Sequence, residues 1–472
     1  MFEYINANPI KALVFALCLL GAILFVSLNL KKPKTLFFFV IFYIPLSFTT
    51  NFGCLSTYLI LFLYIWSLQY KYNLQYKYKS SLTNFQFDNF LVFLLFLITI
   101  VAMFQNGVPS FFYRESGKIR LTKEYWLIIT MLSSIFIYLM TKKFITTKED
   151  LLKVIKIMVI SGTIASIAGY FQWIFHGKTY FFKYIVLGEN PKWVYRISAT
   201  MQGYEILAEY VAILIVFSFI LLMISQKKLS KFFYFLLILN FVIIMTLTQT
   251  RGIYIALILT CIYFGILSIF FKRFALGIKF IFLSFFIVIS LFLFIFLIDK
   301  VRPESHFLNR FLELKSTINI KQGQFADRTG TYLYGVNTIK KMNFREIILG
   351  GGYKYIPRYK SKHGVIWPHC LYLSYLLRDG ILGLSVLLIF FAWLYKRSLL
   401  SFLKNNFLKD NNLFIIGAGL HFAFVMFLID EFKIEFIRSD RSYTLYWLFF
   451  ALISVYSNIV YQQVRNFNKN KI

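Results

Sequence analysis

Five side chains on a largely apolar background define the chemistry open to this chain: His369, Arg251, Arg328, Glu205 and Glu209. His369 follows Pro368 at the head of an apolar run, and proline suits a first helical turn. The positive end of a helix dipole favours neutral imidazole, which can take a proton from a hydroxyl. An interfacial histidine without a role gives the same pattern. Arg251 lies in Thr248-Gln249-Thr250-Arg251-Gly252, a polar interruption of a long apolar stretch. A tight turn there holds its guanidinium at an interface, where it offers a two-pronged donor to phosphate. A snorkelling arginine at a helix end is the plainer reading. Arg328 follows Asp327 in a polar segment and is a second phosphate clamp or half of a solvated ion pair. Glu205 and Glu209 are one helical turn apart in an apolar run. Carboxylates in such a run are costly and mark function by default, as hydroxyl binders or an alternative base. The plainer reading puts Glu205 in a loop.

The elements that position these groups follow from composition. Of 472 residues, 59% are hydrophobic, 21% aromatic and only 15% charged. Apolar runs of 16 or more residues recur near 11–30, 35–50, 54–69, 89–105, 125–141, 154–175, 204–225, 232–249, 253–271, 275–298, 370–395, 413–429 and 444–461. The expected fold class is all-α, a polytopic integral membrane protein with about 12–14 transmembrane helices. Lysines and arginines outnumber acids 51 to 20 and mark alternate loops: Lys31, Lys32 and Lys34; Lys71, Lys77 and Lys79; Lys142 and Lys143; Lys227, Lys228 and Lys231; Lys272 and Arg273; Lys396 and Arg397; and Arg465, Lys469 and Lys471 in the tail. The positive-inside rule makes that side cytoplasmic. No cleavable signal peptide is expected, since the first apolar run is long and lacks a small-residue cleavage site. Cys18, Cys54, Cys261 and Cys370 form no CxxC pair, so neither a disulfide framework nor a metal cluster is expected. The phosphate loop, dinucleotide fingerprint, HExxH, nucleophile elbow and nucleic-acid modules are absent from the sequence, and the basic charge belongs to a membrane protein.

The chain divides into residues 1–298, ten transmembrane helices; 299–369, one large extracytoplasmic basic lobe; and 370–472, the C-terminal transmembrane helices with a cytoplasmic tail. The lobe carries 13 cationic and 5 acidic side chains, a net charge of +8. Such a balance outside a membrane suits anionic lipid headgroups or a diphosphate. Lys354 and Arg358, just after Gly350-Gly351-Gly352, are candidate substrate-binding cations. A lobe helix is expected near 328–342, where Tyr332, Val336, Ile339 and Met342 recur at helical spacing, and the three glycines break it. The shorter outer loops, 106–124 and 176–203, carry Arg114, Lys118 and Arg120, and His176, Lys192 and Arg196. His306, His363 and His421 are expected to be structural.

Three segments together resemble the O-antigen ligase and polymerase superfamily of bacterial membrane glycosyltransferases. Thr250-Arg251-Gly252 is similar to that family's Ser/Thr-Arg-Gly opening of a helix. Arg328, with Tyr332 four residues on and Gly350–Gly352 about 20 later, resembles its loop Arg…Trp…Gly-x-Gly pattern. His369, with Leu373, Gly380 and Gly383, resembles its His-Asn-x-x-Leu…Gly-Leu-x-Gly-Leu signature. Cys370 replaces the usual Asn, and Tyr332 the commoner Trp.

The resemblance implies transfer of a glycan from an undecaprenyl diphosphate carrier to an acceptor hydroxyl, at the periplasmic side of the bacterial inner membrane. No cofactor, metal or nucleotide sugar is implied. Two arginines, Arg251 and Arg328, would stabilise the diphosphate leaving group; His369 would be the base, and the reaction would invert the anomeric carbon. A ligase acting on lipid A–core is the leading reading. A polymerase extending a glycan acceptor, in O-antigen or capsule synthesis, is the close rival; a protein O-oligosaccharyltransferase is a third. A polysaccharide or lipid transporter should show internal repeats and a midplane polar site from broken helices.

Overall fold

A computed structural model describes residues 32–469 except 48, 51–52, 74–85, 106, 108–109, 111, 116–117, 176–195, 202, 272–273, 302–331, 333–334, 353–358, 362–363, 367–369, 404–410, 434–435 and 439. The helices in chain order are α1 (Pro33–Tyr43), α2 (Leu55–Asn73), α3 (Phe87–Phe104), α4 (Lys123–Phe144), α5 (Lys148–Ile174), α6 (Tyr204–Ile224), α7 (Lys228–Leu247), α8 (Arg251–Phe270), α9 (Phe274–Val301), α10 (Phe344–Leu349), α11 (Leu371–Ser398), α12 (Leu400–Leu403), α13 (Asn411–Asp430) and α14 (Asp440–Lys469). Among the described residues ten helices are long and apolar enough to cross a membrane, and two shorter apolar ones span Pro33–Leu46 and Ser56–Ile65. This is an all-α polytopic membrane protein. The expected run at 11–30 lies outside the described residues.

Packing sorts the helices into centre and periphery. The apolar spans of α14, α6 and α13 are 94%, 89% and 83% buried, so they form the centre. Those of α9, α3 and α7 are buried over only 31–39%, and Phe282, Phe285, Phe292 and Phe296 of α9 project outward. In lipid this costs nothing, because hydrocarbon is as good a solvent for phenylalanine as the interior. Close approach uses small residues where it is tightest: a Cβ on Gly162 would meet Leu214, and one on Gly419 would meet Ile220.

The two ends of the bundle differ chemically. At one end Lys34 pairs with Asp150 at 2.7 Å, and Lys142 reaches both the buried Asp88 and Asn89. Asp88 also accepts from Tyr138 at 2.5 Å and Ser454 at 2.9 Å. Arg397 stacks on Trp393 and Tyr461. Lys143, Lys227, Lys228 and Lys231 are exposed at the same end. The opposite end carries the α7–α8 turn, the start of α6, the end of α13, the start of α11 and the described part of the 299–369 lobe.

Local structure corrects several sequence expectations. The run at 35–50 does not form one helix: α1 is followed by a 3-10 turn, Ile44–Leu46, and Thr49–Thr50 pairs as a strand with Gly53–Cys54, because proline at 45 cannot continue the α-helical ladder. The helix expected at 328–342 is described as helical at Tyr332 and 335–339, and the separate α10 follows it. Asn343 starts α10 through a capping box with Glu346, with bonds of 2.9 and 3.1 Å, and Gly350 ends it at φ 86°. The helix after His369 is described from Leu371, with Cys370 as its N-cap, and Pro368 lies outside the described residues. That helix is also bent: Gly380 has φ 68° and ψ −169°. Two further hairpins, Phe112–Glu115 with Lys118–Leu121 and Tyr359–Ser361 with Gly364–Ile366, belong to the connecting loops.

Candidate active site at the loop-bearing end

Arg251 is the first residue of α8, behind a turn in which Gln249 takes φ 53° and Thr250 is the N-cap. Thr246, Thr248, Gln249 and Thr250 are buried. The turn is held from outside by Arg196, whose Nε donates to the Thr248 carbonyl at 2.9 Å and whose guanidinium lies 3.1 Å from the centre of the Tyr204 ring. Its Nη2 reaches Thr250 Oγ1 at 3.5 Å. Gln172 anchors the Arg196 segment, accepting from the Ser198 and Ala199 amides at 2.9 Å each. Sequence reading placed Arg196 in a minor outer loop. Its only signal was an arginine a few residues before a helix that carries glutamates.

Glu205 lies in the first turn of α6 and is buried, not in a loop. Glu209, one turn deeper, is fully buried. Its carboxylate is within electrostatic reach of Asp430, Lys433, Glu431 and Tyr446. Among the described residues no group meets strict hydrogen-bond geometry with either of its oxygens. Lys433 Nζ pairs with Asp430 Oδ1 at 3.0 Å. The side chain of Lys433 fills the space that a Cβ on Gly252 would occupy. The Glu431 carbonyl accepts the Leu371 amide at 2.9 Å, which brings the start of α11 to the same place. Tyr372 packs on Phe432 at 4.6 Å between ring centres and donates to the Leu428 carbonyl at 3.1 Å. The structure thus brings Arg251, Glu205, Glu209 and Cys370 to one end of the bundle. His369, Arg328, Lys354 and Arg358 lie outside the described residues.

A second knot joins the lobe to the membrane helices. The Gly351 amide donates to the Leu377 carbonyl at 2.9 Å, and Gln105 donates to the Gly350 carbonyl. A Cβ on Gly350 would strike the Arg378 carbonyl, and one on Gly380 the Ile348 carbonyl. Both glycines have positive φ, so they are required twice, by conformation and by backbone-to-backbone approach. Beneath them Arg378 and Asp379 form a buried two-pronged pair, with Nε–Oδ1 at 2.9 Å and Nη2–Oδ2 at 2.5 Å. Thr99 adds a bond to Asp379 at 3.1 Å, and Arg378 stacks on Tyr375 at 4.4 Å. An adjacent Arg-Asp dyad in an apolar helix was the signal available in the sequence.

Residues 235–388 match the family model described as O-antigen ligase. That match, over about a third of the chain, supports a place in the O-antigen ligase superfamily. No curated protein matches the chain. The matched segment runs from α7 into α11, so it contains Arg251, Gly350, Gly380 and the Arg378–Asp379 knot. Arg196, Glu205, Glu209, Asp430 and Lys433 complete the same end of the bundle from outside that segment.

His421, at the middle of α13, has no part in this end. Its Nδ1 bonds Ser398 Oγ at 2.8 Å and its Nε2 bonds the Tyr263 hydroxyl at 2.8 Å, which continues to Tyr395 at 2.6 Å. Ser398 also bonds the Tyr395 carbonyl at 2.9 Å. One proton arrangement satisfies all of these: Ser398 donates to that carbonyl, Nδ1–H donates to Ser398, and Tyr263 donates to Nε2. Both ring nitrogens are used in joining α8, α11 and α13.

Proposed function

We propose that this protein is a glycosyltransferase of the O-antigen ligase type. It moves a glycan from undecaprenyl diphosphate to a hydroxyl of lipid A–core, at the periplasmic face of the bacterial inner membrane. The observation that carries the reading is a convergence. The helix opening at Arg251, the carboxylates of α6 and the start of α11 meet at one end of the bundle, on a chain whose 235–388 segment is O-antigen ligase-like.

In the proposed reaction the acceptor oxygen attacks the anomeric carbon while the bond from that carbon to the diphosphate oxygen breaks. The electron pair leaves on the diphosphate, whose added charge Arg251 and Arg328 stabilise. The hydroxyl proton passes to His369, the residue bonded to the α11 N-cap Cys370. Direct displacement inverts the anomeric configuration. Glu205 and Glu209 bind hydroxyls of the substrate, with Lys354 and Arg358 on its anionic part. Buried carboxylates suit that role, since a sugar hydroxyl would supply a well-aligned donor to Glu209, whose oxygens meet strict hydrogen-bond geometry with no group among the described residues.

A deletion strain tests the reading when its lipopolysaccharide and carrier-linked glycan are analysed together. Loss of a ligase leaves polymerised glycan on its carrier and bare core on lipid A. Core capped by a single repeat would assign the polymerase reaction instead.

A further inference from the structure

We infer that the turn at 430–433 is the positioning hub of this site, with Lys433 as its key residue. The segments that carry the family-like motifs are each fixed to this turn, through three successive residues. The Glu431 carbonyl holds the Leu371 amide at 2.9 Å, two residues after His369 in the chain. The Phe432 carbonyl accepts the Tyr332 hydroxyl at 2.7 Å, four residues after Arg328. The Lys433 side chain lies across Gly252, beside Arg251. A side chain at position 252 would take the volume that the end of the Lys433 side chain fills, so Lys433 would have to leave its place there. The turn itself lies outside the 235–388 segment.

Charge argues that Lys433 positions its neighbours and does not bind substrate. A second cation beside Arg251 at the positive end of α8 is unfavourable unless it is neutralised. Asp430 does this at 3.0 Å, and the pair is mostly withdrawn from solvent, with side-chain exposures of 16% and 1%. The ammonium is committed to a protein carboxylate, and its stem is wedged against α8. The Asp430–Lys433 pair thus fixes the turn, and the turn fixes the start of α11, the Tyr332 segment and the start of α8 relative to one another. Small displacements at such a junction are expensive: a misplacement of about 1 Å costs on the order of 10²-fold in rate.

The catalytic arm of the test rests on the proposed transfer reaction; the exchange arm does not. The full chain is purified in lipid nanodiscs as wild type, Lys433→Met, Lys433→Arg and Asp430→Asn. Hydrogen exchange is followed over the first turn of α11, whose Leu371 amide reports the Glu431 link. Lys433→Met keeps the stem without the charge, so it and Asp430→Asn should each speed exchange there about tenfold, leaving the Arg378–Asp379 region unchanged. Transfer is measured with a polyprenyl-diphosphate glycan and lipid A–core. In Lys433→Met kcat should fall on the order of 10-fold or more while the donor KM moves less than about threefold. Lys433→Arg, which keeps the pair, should recover part of the loss. Unchanged exchange in both charge-removing variants would overturn the hub whatever the kinetics. A raised donor KM at constant kcat would also overturn it, by making Lys433 a substrate contact. If the wild type itself fails to transfer glycan, the reaction assignment fails, and the exchange result still decides the hub.

Discussion

Removal of the Asp379 carboxylate should unlatch the lobe while leaving the proposed chemical groups in place. Asp379 is fully buried, and its partner Arg378 is 1% exposed. The pair lies eight residues into α11, roughly 12 Å along the helix axis from its start at 1.5 Å per residue. Asp379→Ala strips a buried guanidinium of its counter-ion, which costs about 3–5 kcal/mol. The lost Thr99 bond adds about 1 kcal/mol. A total of about 4–6 kcal/mol corresponds to about 10³- to 10⁴-fold in the unfolding equilibrium. The double variant Arg378→Met/Asp379→Leu removes both charges and keeps apolar volume, so it should lie within about 2 kcal/mol of wild type. Equilibrium unfolding in mixed micelles measures both. Glycan transfer should fall in the single variant, because Gly350 and Gly351 dock on residues 377–380. A single variant within about 1 kcal/mol of wild type, or a double variant as damaged as the single, would refute the reasoning.

Three further outcomes are expected. Arg251→Lys should lose transfer on the order of 10²-fold despite keeping its charge, because the two-pronged geometry is lost; steady-state kinetics on well-expressed protein checks this. His421→Ala should lower stability by about 1–3 kcal/mol through its abandoned partners Ser398 and Tyr263, with transfer by the folded fraction retained; a thermal melt paired with activity per folded molecule separates the two effects. Ser361→Cys, in a background without native reactive thiols, should react with an impermeant maleimide in intact spheroplasts. Labelling only after membrane lysis would invert the proposed topology.

The membrane fold was legible because a bilayer imposes a simple rule, long apolar helices with charge at their ends. The alternation of Lys142, Lys227 and Lys396 with polar turns such as Thr248–Gly252 gave the bundle its two ends. The Thr250-Arg251-Gly252 turn was legible for the same reason, as a polar break between apolar runs. The Asp430–Lys433 pair was not, since it matters through its contact with Gly252, 181 residues away in the chain. Arg196 was hidden likewise, because its partners Thr248 and Thr250 meet it only after α6 and α7 have packed. The bend at Gly380 was hidden although Arg378-Asp379 interrupts the apolar run just before it, because the approach of Ile348 and Gly350 that explains it is a tertiary contact. Periodicity reports which face of a helix is apolar; it does not report which helix end meets which.

The central claim is tested most directly by reconstituting transfer with the purified full chain, a defined undecaprenyl-diphosphate glycan and lipid A–core. The account predicts glycan on the core with its anomeric configuration inverted, and no product from a His369→Ala protein that inserts and binds carrier lipid normally. Retained configuration, or full-rate transfer by His369→Ala, would contradict it and turn attention to Glu205 and Glu209.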